Sequence, residues 1–320
     1  MQSSYIRFRY IAAIAVLLTS IACKKELPLK SPDFDATVAK NSYSVNDTIA
    51  FQFSGQPDFI TFYAGLPGSR YEYRDRTTQA GTPVLQFTSA RANGSQPNSL
   101  QVMVSADFAG VAADTAITLA NIGKASWTDI TGKAVLSAGA AANSGPIDLS
   151  DFANAGKPVY LAFRYTAVAG SVQNKWTITN LTVNNNLKDG TTYLIGNLNA
   201  FNTAIINYGN SSFSPGWVSY KIANTYAWTI SAGTSLVITG ATNKDLAAPA
   251  EAWVFMGPLN LQKVTPDAGV PIKNVGENMS KFPYNYQYTT PGTYKATFVG
   301  ANINKDQQKS VVKTLDITIR

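Results

Sequence analysis

Apolar and polar residues alternate with a period of two along most of this chain. In Thr48-Ile49-Ala50-Phe51-Gln52-Phe53, the residues Ile49, Phe51 and Phe53 fall on one side and Thr48, Ala50 and Gln52 on the other. That is the pattern of a strand with one buried face. Segments 59–63, 100–104, 159–165, 176–179, 236–238, 253–256, 294–299 and 315–319 are further short runs rich in β-branched and aromatic residues, which favour strands. Asn93-Gly94, Ser144-Gly145-Pro146 and Pro291-Gly292 punctuate them as turns. Tyr71-Glu72-Tyr73-Arg74-Asp75-Arg76 also alternates, predicting a strand with either a cross-strand charge ladder or a polar recognition face. No amphipathic helix stands out, and nothing alternates strand with helix as a parallel sheet requires. The expected class is all-β, built as sandwiches or jelly rolls.

The first residues follow another rule. Arg7 and Arg9 precede an uncharged apolar run over 11–22, too short for a spanning helix of about 20 residues and suited to the core of a signal peptide. It ends at Ser20-Ile21-Ala22-Cys23, which holds the only cysteine of the chain. This tetrapeptide resembles the bacterial lipobox, and the resemblance implies a lipid-modified Cys23 after removal of residues 1–22. Residues 23–33, with Pro28, Pro32 and several charges, read as a tether. By resemblance to Gram-negative lipoprotein sorting, Lys24 in place of an aspartate implies the outer membrane.

Composition narrows the chemistry. Loss of the leader removes Arg7 and Arg9 but no acid, lowering the formal net charge from +7 to +5. The basic residues are scattered, so no nucleic-acid surface is expected. The chain has no histidine and no second cysteine. This excludes Ser-His-Asp and Cys-His catalysis, the usual structural zinc sites and internal disulfides. Carboxylate, lysine, tyrosine or serine chemistry stays open. Asp33-Phe34-Asp35 and Asp148-Leu149-Ser150-Asp151 offer paired carboxylates that a structural calcium could use, but neither has a calcium-loop signature. They read as solvated loop acids, and no cofactor is expected.

Two longer stretches carry resemblances. Residues 34–54 (FDATVAKNSYSVNDTIAFQFS) and 286–319 (YQYTTPGTYKATFVGANINKDQQKSVVKTLDITI) resemble the opening and closing strands of a PKD-like or immunoglobulin-like domain. The segments 100–110, 127–130, 144–150, 159–165 and 176–181 resemble jelly-roll modules of the cleaved-adhesin or choice-of-anchor type. The expected organisation is a discontinuous sandwich over 34–92 and 254–320, interrupted by a jelly roll over 93–253. As a set, with Phe62-Tyr63-Ala64-Gly65 at a turn, these features resemble DUF5017-type lipoproteins of Bacteroidetes. That likeness implies proximity to SusC/SusD-like glycan-uptake systems.

Five tryptophans invite a sugar-stacking reading, because pyranose rings present apolar C–H faces. Trp176, Trp228 and Trp253 lie within strand patterns and are expected in the core. Trp217 ends a loop-like stretch containing Tyr208 and Phe213, and Tyr220 follows it. That cluster serves either ligand contact or loop anchoring, and Trp127 beside Asp129 is a second candidate. The expected function is a surface-exposed, non-enzymatic lipoprotein binding glycans or glycoconjugates. An adhesin or partner subunit of an outer-membrane complex is the alternative, and a carboxylate-based glycoside hydrolase comes third.

Overall fold

The computed structural model describes residues 28–112, 114–153, 157–199, 216–231, 233–279 and 283–320. Among these, almost all regular structure is strand, arranged in two compact units that divide at 71/72 and 267/268. The chain begins the smaller unit with β1 (Phe34–Val38), β2 (Ser42–Tyr43), β3 (Ile49–Gly55) and β4 (Phe59–Tyr63). The larger unit opens with β5 (Thr82–Asn93), β6 (Leu100–Ser105), the helix α1 (Thr115–Lys124), β7 (Thr128–Asp129), β8 (Ala142–Asn143) and β9 (Ile147–Asp148). It continues through β10 (Val159–Ala167), β11 (Asn174–Asn186), β12 (Thr192–Asn197), β13 (Gly216–Ala223), β14 (Thr229–Ser231), β15 (Ser235–Thr239) and β16 (Ala250–Leu259). The smaller unit is then completed by β17 (Val270–Lys273), β18 (Tyr284–Tyr286), β19 (Gly292–Ile303) and β20 (Gln308–Ile319).

In the smaller unit, a sheet of order β1-β3-β18 packs on one of order β17-β4-β19-β20-β2. The alternation read at 48–53 puts Ile49 and Phe51 at zero exposure. Phe51 meets Phe298 at 4.9 Å, and Phe298 stacks on Phe62 at 4.8 Å. The turn after β4 needs Gly65. Its φ is +78°, and a Cβ there would lie 2.7 Å from the backbone N of Lys295, closer than atoms can pack. The adjoining Ala64 carbonyl accepts the buried Tyr288 hydroxyl at 2.8 Å.

In the larger unit, a sheet of order β13-β16-β10-β6-β7 and a second of order β14-β15-β11-β5-β8 share one core, with β12 pairing β11 and β9 pairing β5. Phe87 and Phe163 meet edge-on at 5.2 Å within it. Trp176, Trp217 and Trp228 each point an indole N–H at a protein acceptor, namely Ser99 Oγ, the Asn197 carbonyl and the Ala252 carbonyl. Such pairing lets a ring with a polar edge be buried at little cost.

The two ends of the larger unit are tied together. The Asp267 N–H donates to the Tyr73 carbonyl at 3.1 Å, and Gln79 and Gln262 pair by backbone at 2.8 Å. Arg76 reaches Asp267 at 3.3 Å and the Tyr193 hydroxyl at 3.0 Å, with its guanidinium 4.1 Å from the Tyr73 ring centre. The Asp267 side chain has no exposure and that of Arg76 has 10%.

Three expectations differ from what is observed. The sequence boundaries at 92/93 and 253/254 fall at the end of β5 and inside β16, both integral to the larger unit. A strand-forming run looks the same whichever sandwich it joins. Tyr71–Tyr73 forms a 3-10 turn, not a strand, because Tyr71 packs edge-on against Tyr63 and Tyr73 lies under Arg76. Finally, α1 is a helix that the sequence barely announces. Its Thr, Ile and Gly content opposes helix formation, and only Thr118 and Ile122 are buried. Asp114 caps it, accepting from the N–H groups of Ala116 and Ile117 at 2.7 and 3.1 Å.

Candidate functional site

Successive strand residues point to opposite faces, and this rule organises the outer face of the β13-β16-β10-β6-β7 sheet. Leu161, Phe163 and Tyr165 enter the large core, so Tyr160, Ala162 and Arg164 face outward. Met103, Ala162, Phe255 and Val218 form one cross-strand row by register. It lies in a second apolar cluster with Phe108 and Ile122 of α1. The next row runs Gln101, Arg164, Trp253, Tyr220, and here the face turns polar and aromatic.

Trp127 sits where the two rows meet. Its ring lies 5.0 Å from Trp253, 5.2 Å from Phe108 and 5.8 Å from Phe255, and its N–H donates to the Ile122 carbonyl at 3.1 Å. The turn before it is fixed by Asp107, which accepts from Ser126 N–H and the Ser105 hydroxyl, both at 2.8 Å. Trp127 remains half-buried, whereas Trp253 beneath it is nearly covered. Tyr220 is also half-buried, and its hydroxyl donates to the Thr115 carbonyl at 2.9 Å.

The polar residues form a continuous chain. Asp129 accepts from Gln101 at 2.8 Å, and Gln101 accepts from Arg164 Nη1 at 3.0 Å. Arg164 Nε donates to Glu251 Oε1 at 2.9 Å, and the same oxygen receives the Trp253 N–H at 2.7 Å. Partial burial pushes the Glu251 carboxyl up, but the bonds from Arg164 and Trp253 outweigh it and hold its pKa below the usual value. Asp129 is lowered too. Desolvation opposes this, and bonds from Thr131 and Gln101 with the Arg164 charge prevail. Both carboxylates are therefore ionised at neutral pH, against the one cation of Arg164.

Of the residues singled out from sequence, Trp127 and Tyr220 come together on this face, bridged by Trp253. Trp217 does not join them. It is 3% exposed in the large core, stacked near Phe163 at 6.4 Å, because its position in β13 is the inward one. Tyr208, Phe213 and Cys23 lie outside the described residues. Three of the four carboxylates considered for calcium are engaged otherwise. Asp35 pairs with Lys313 at 3.1 Å, Asp148 accepts from the Ser150 N–H and Asp151 pairs with Lys133. Among the described residues, no cluster of three or more metal-ligating side chains occurs.

Sequence reasoning missed Gln101, Arg164 and Glu251. Each is a lone polar residue beside an otherwise apolar run, but their alignment follows from strand pairing, which no local pattern encodes.

No curated protein and no solved structure matches the chain. Residues 22–202, more than half of its length, match the family model described as a domain of unknown function (DUF5017), and the chain belongs to that family.

Proposed function

We propose that this chain is an outer-membrane lipoprotein, anchored through Cys23 and exposed at the cell surface, that binds glycans or glycoconjugates without transforming them. It serves as an accessory to a SusC/SusD-like uptake system. The observation that carries the binding reading is the outer face bearing Trp127, Tyr220 and Trp253 beside the Gln101, Arg164, Glu251 and Asp129 chain. A sugar needs an aromatic surface for its C–H face and charged or amide partners for its hydroxyls, and here the polar partners stand on strands with Trp127 just ahead of β7. The lipobox-like Ser20-Ile21-Ala22-Cys23 supports the anchoring.

A panel of polysaccharides cast into native gels tests the reading. At least one is expected to retard the protein, and Trp127→Ala is expected to weaken that retention roughly tenfold. No retardation across the panel would refute glycan binding. Release of reducing sugar by the pure protein would refute the non-enzymatic assignment. Mass spectrometry of the native protein should find a diacylated Cys23 as the first residue. A second reading, a subunit that packs on a partner protein, is favoured by one observation. The helix α1 leaves Ile117 and Leu119 53% and 40% exposed. Co-purification of a partner that is lost on Ile117→Ser would support it.

A further inference from the structure

Arg164 and Glu251 form an ion pair that is only half made. A guanidinium and a carboxylate can join through two parallel bonds, but here there is one, from Nε to Oε1 at 2.9 Å. Nη1 is held by Gln101 at 3.0 Å, and Oε1 is doubly occupied because the Trp253 indole also donates to it. Among the described residues, Arg164 Nη2 and Glu251 Oε2 have no hydrogen-bond partner. Nε and Nη2 share one edge of the planar guanidinium, so the unused donor lies on the side that faces the carboxylate. The two side chains are 31% and 26% exposed. Gln101, Trp253 and the strand register fix them, so little side-chain freedom is lost when a ligand binds.

We infer that this opened fork takes the adjacent hydroxyls of a neutral pyranose, one accepting from Arg164 Nη2 and the next donating to Glu251 Oε2. The sugar's C–H face then lies toward Trp127. The inference rests on the glycan-binding reading and adds the ligand class to it. A hydroxyl both donates and accepts, so neighbouring hydroxyls satisfy a donor and an acceptor side by side, which neither a carboxylate nor an ammonium can do. Charge makes the same selection. Asp129 and Glu251 against Arg164 leave the site with one net negative charge, although the chain as a whole is basic. Uronate-containing and sulfated chains are repelled there.

The test compares neutral polysaccharides (mannan, xylan, glucan) with polygalacturonate and a sulfated galactan, for the wild type and for Trp127→Ala, Glu251→Gln and Arg164→Ala. The expected result is retention by a neutral polymer but by neither anionic one. Glu251→Gln and Arg164→Ala should each weaken retention tenfold or more. Glu251→Gln preserves shape, so its result stands even if Arg164→Ala fails to fold. Stronger retention by an anionic polymer overturns the inference. So does retention that falls with Trp127→Ala yet is unchanged by Glu251→Gln, and in that case glycan binding itself survives. Failure of every polymer to retard the protein removes both.

Discussion

Substituting Asp267 by alanine would leave Arg76 charged and enclosed at the point where the larger unit begins and ends. The magnitude follows from burial. Asp267 has no exposed side-chain surface and Arg76 only 10%, and breaking such a pair on one side costs about 3–5 kcal/mol. Arg76 keeps the Tyr193 hydroxyl and the Tyr73 ring, and the ring contact alone is worth about 0.5–2 kcal/mol, so the low end, about 3 kcal/mol, is expected. Its Nε already lacks a partner, which leaves no reserve. All five tryptophans lie between residues 72 and 267, so indole fluorescence follows this unit alone during urea unfolding. With a slope of about 2–3 kcal/mol per molar, the midpoint should fall by roughly 1 M. The double variant Arg76→Met with Asp267→Leu should recover most of the loss, since an apolar pair of similar volume carries no desolvation cost. A single-variant shift below about 0.3 M, or a double variant as unstable as the single one, would refute the reasoning.

Gly65→Ala should destabilise the smaller unit by about 2 kcal/mol or more, from left-handed backbone strain plus the clash at Lys295. Faster amide exchange in β4 and β19 would report it. Trp217→Ala should cost about 3–5 kcal/mol of stability as a large-to-small change in the core, read by the fluorescence midpoint, with retention on polysaccharide intact in the molecules that stay folded. Burial raises the pKa of Tyr288 in the folded state, as it does for Tyr284 and Tyr286. Their contribution is complete below the ordinary tyrosine pKa of about 10 and is lost as pH rises above it. Stability that stays flat from pH 9 to 12 in urea titrations would contradict this, and Tyr288→Phe should flatten the decline. Glu251 and Asp129 have lowered pKa values, so ligand retention should hold constant from pH 8 down to about 5 and weaken below the ordinary carboxylate range. A midpoint above pH 6 would exclude both groups.

The all-β class was legible because period-two alternation is local. Ile49 and Phe51 could be placed in a core from six residues of sequence, and the structure buries both completely. The discontinuous arrangement was visible in outline, yet its edges were not, since β5 alternates like any sandwich strand and β16 is apolar on both faces. Trp217 shows the limit of reading composition. Its flanking Asn, Ser and Gly residues suggested a loop, while a single step of strand phase turns the indole inward. The helix α1 was hidden because a rigid aromatic sheet face requires only two buried helical side chains, Thr118 and Ile122. The polar row is a property of register across four strands, so no window of sequence contains it.

β4 and β17 are neighbours in one sheet, with Phe62 opposite Val270, although some two hundred residues separate them along the chain. Whether the chain leaves a ribosome or an export pore, β1, β3 and β4 emerge long before β17 to β20 arrive to cover Ile49, Phe51 and Phe62. At the ribosomal rate of about 5–20 residues per second, that interval is roughly 10–40 s. The larger unit has all of its own strands in hand well before its host does. Residues 34–63 must therefore wait with β1 paired to β3 but with their apolar faces uncovered, which makes them a segment that a holding chaperone would protect.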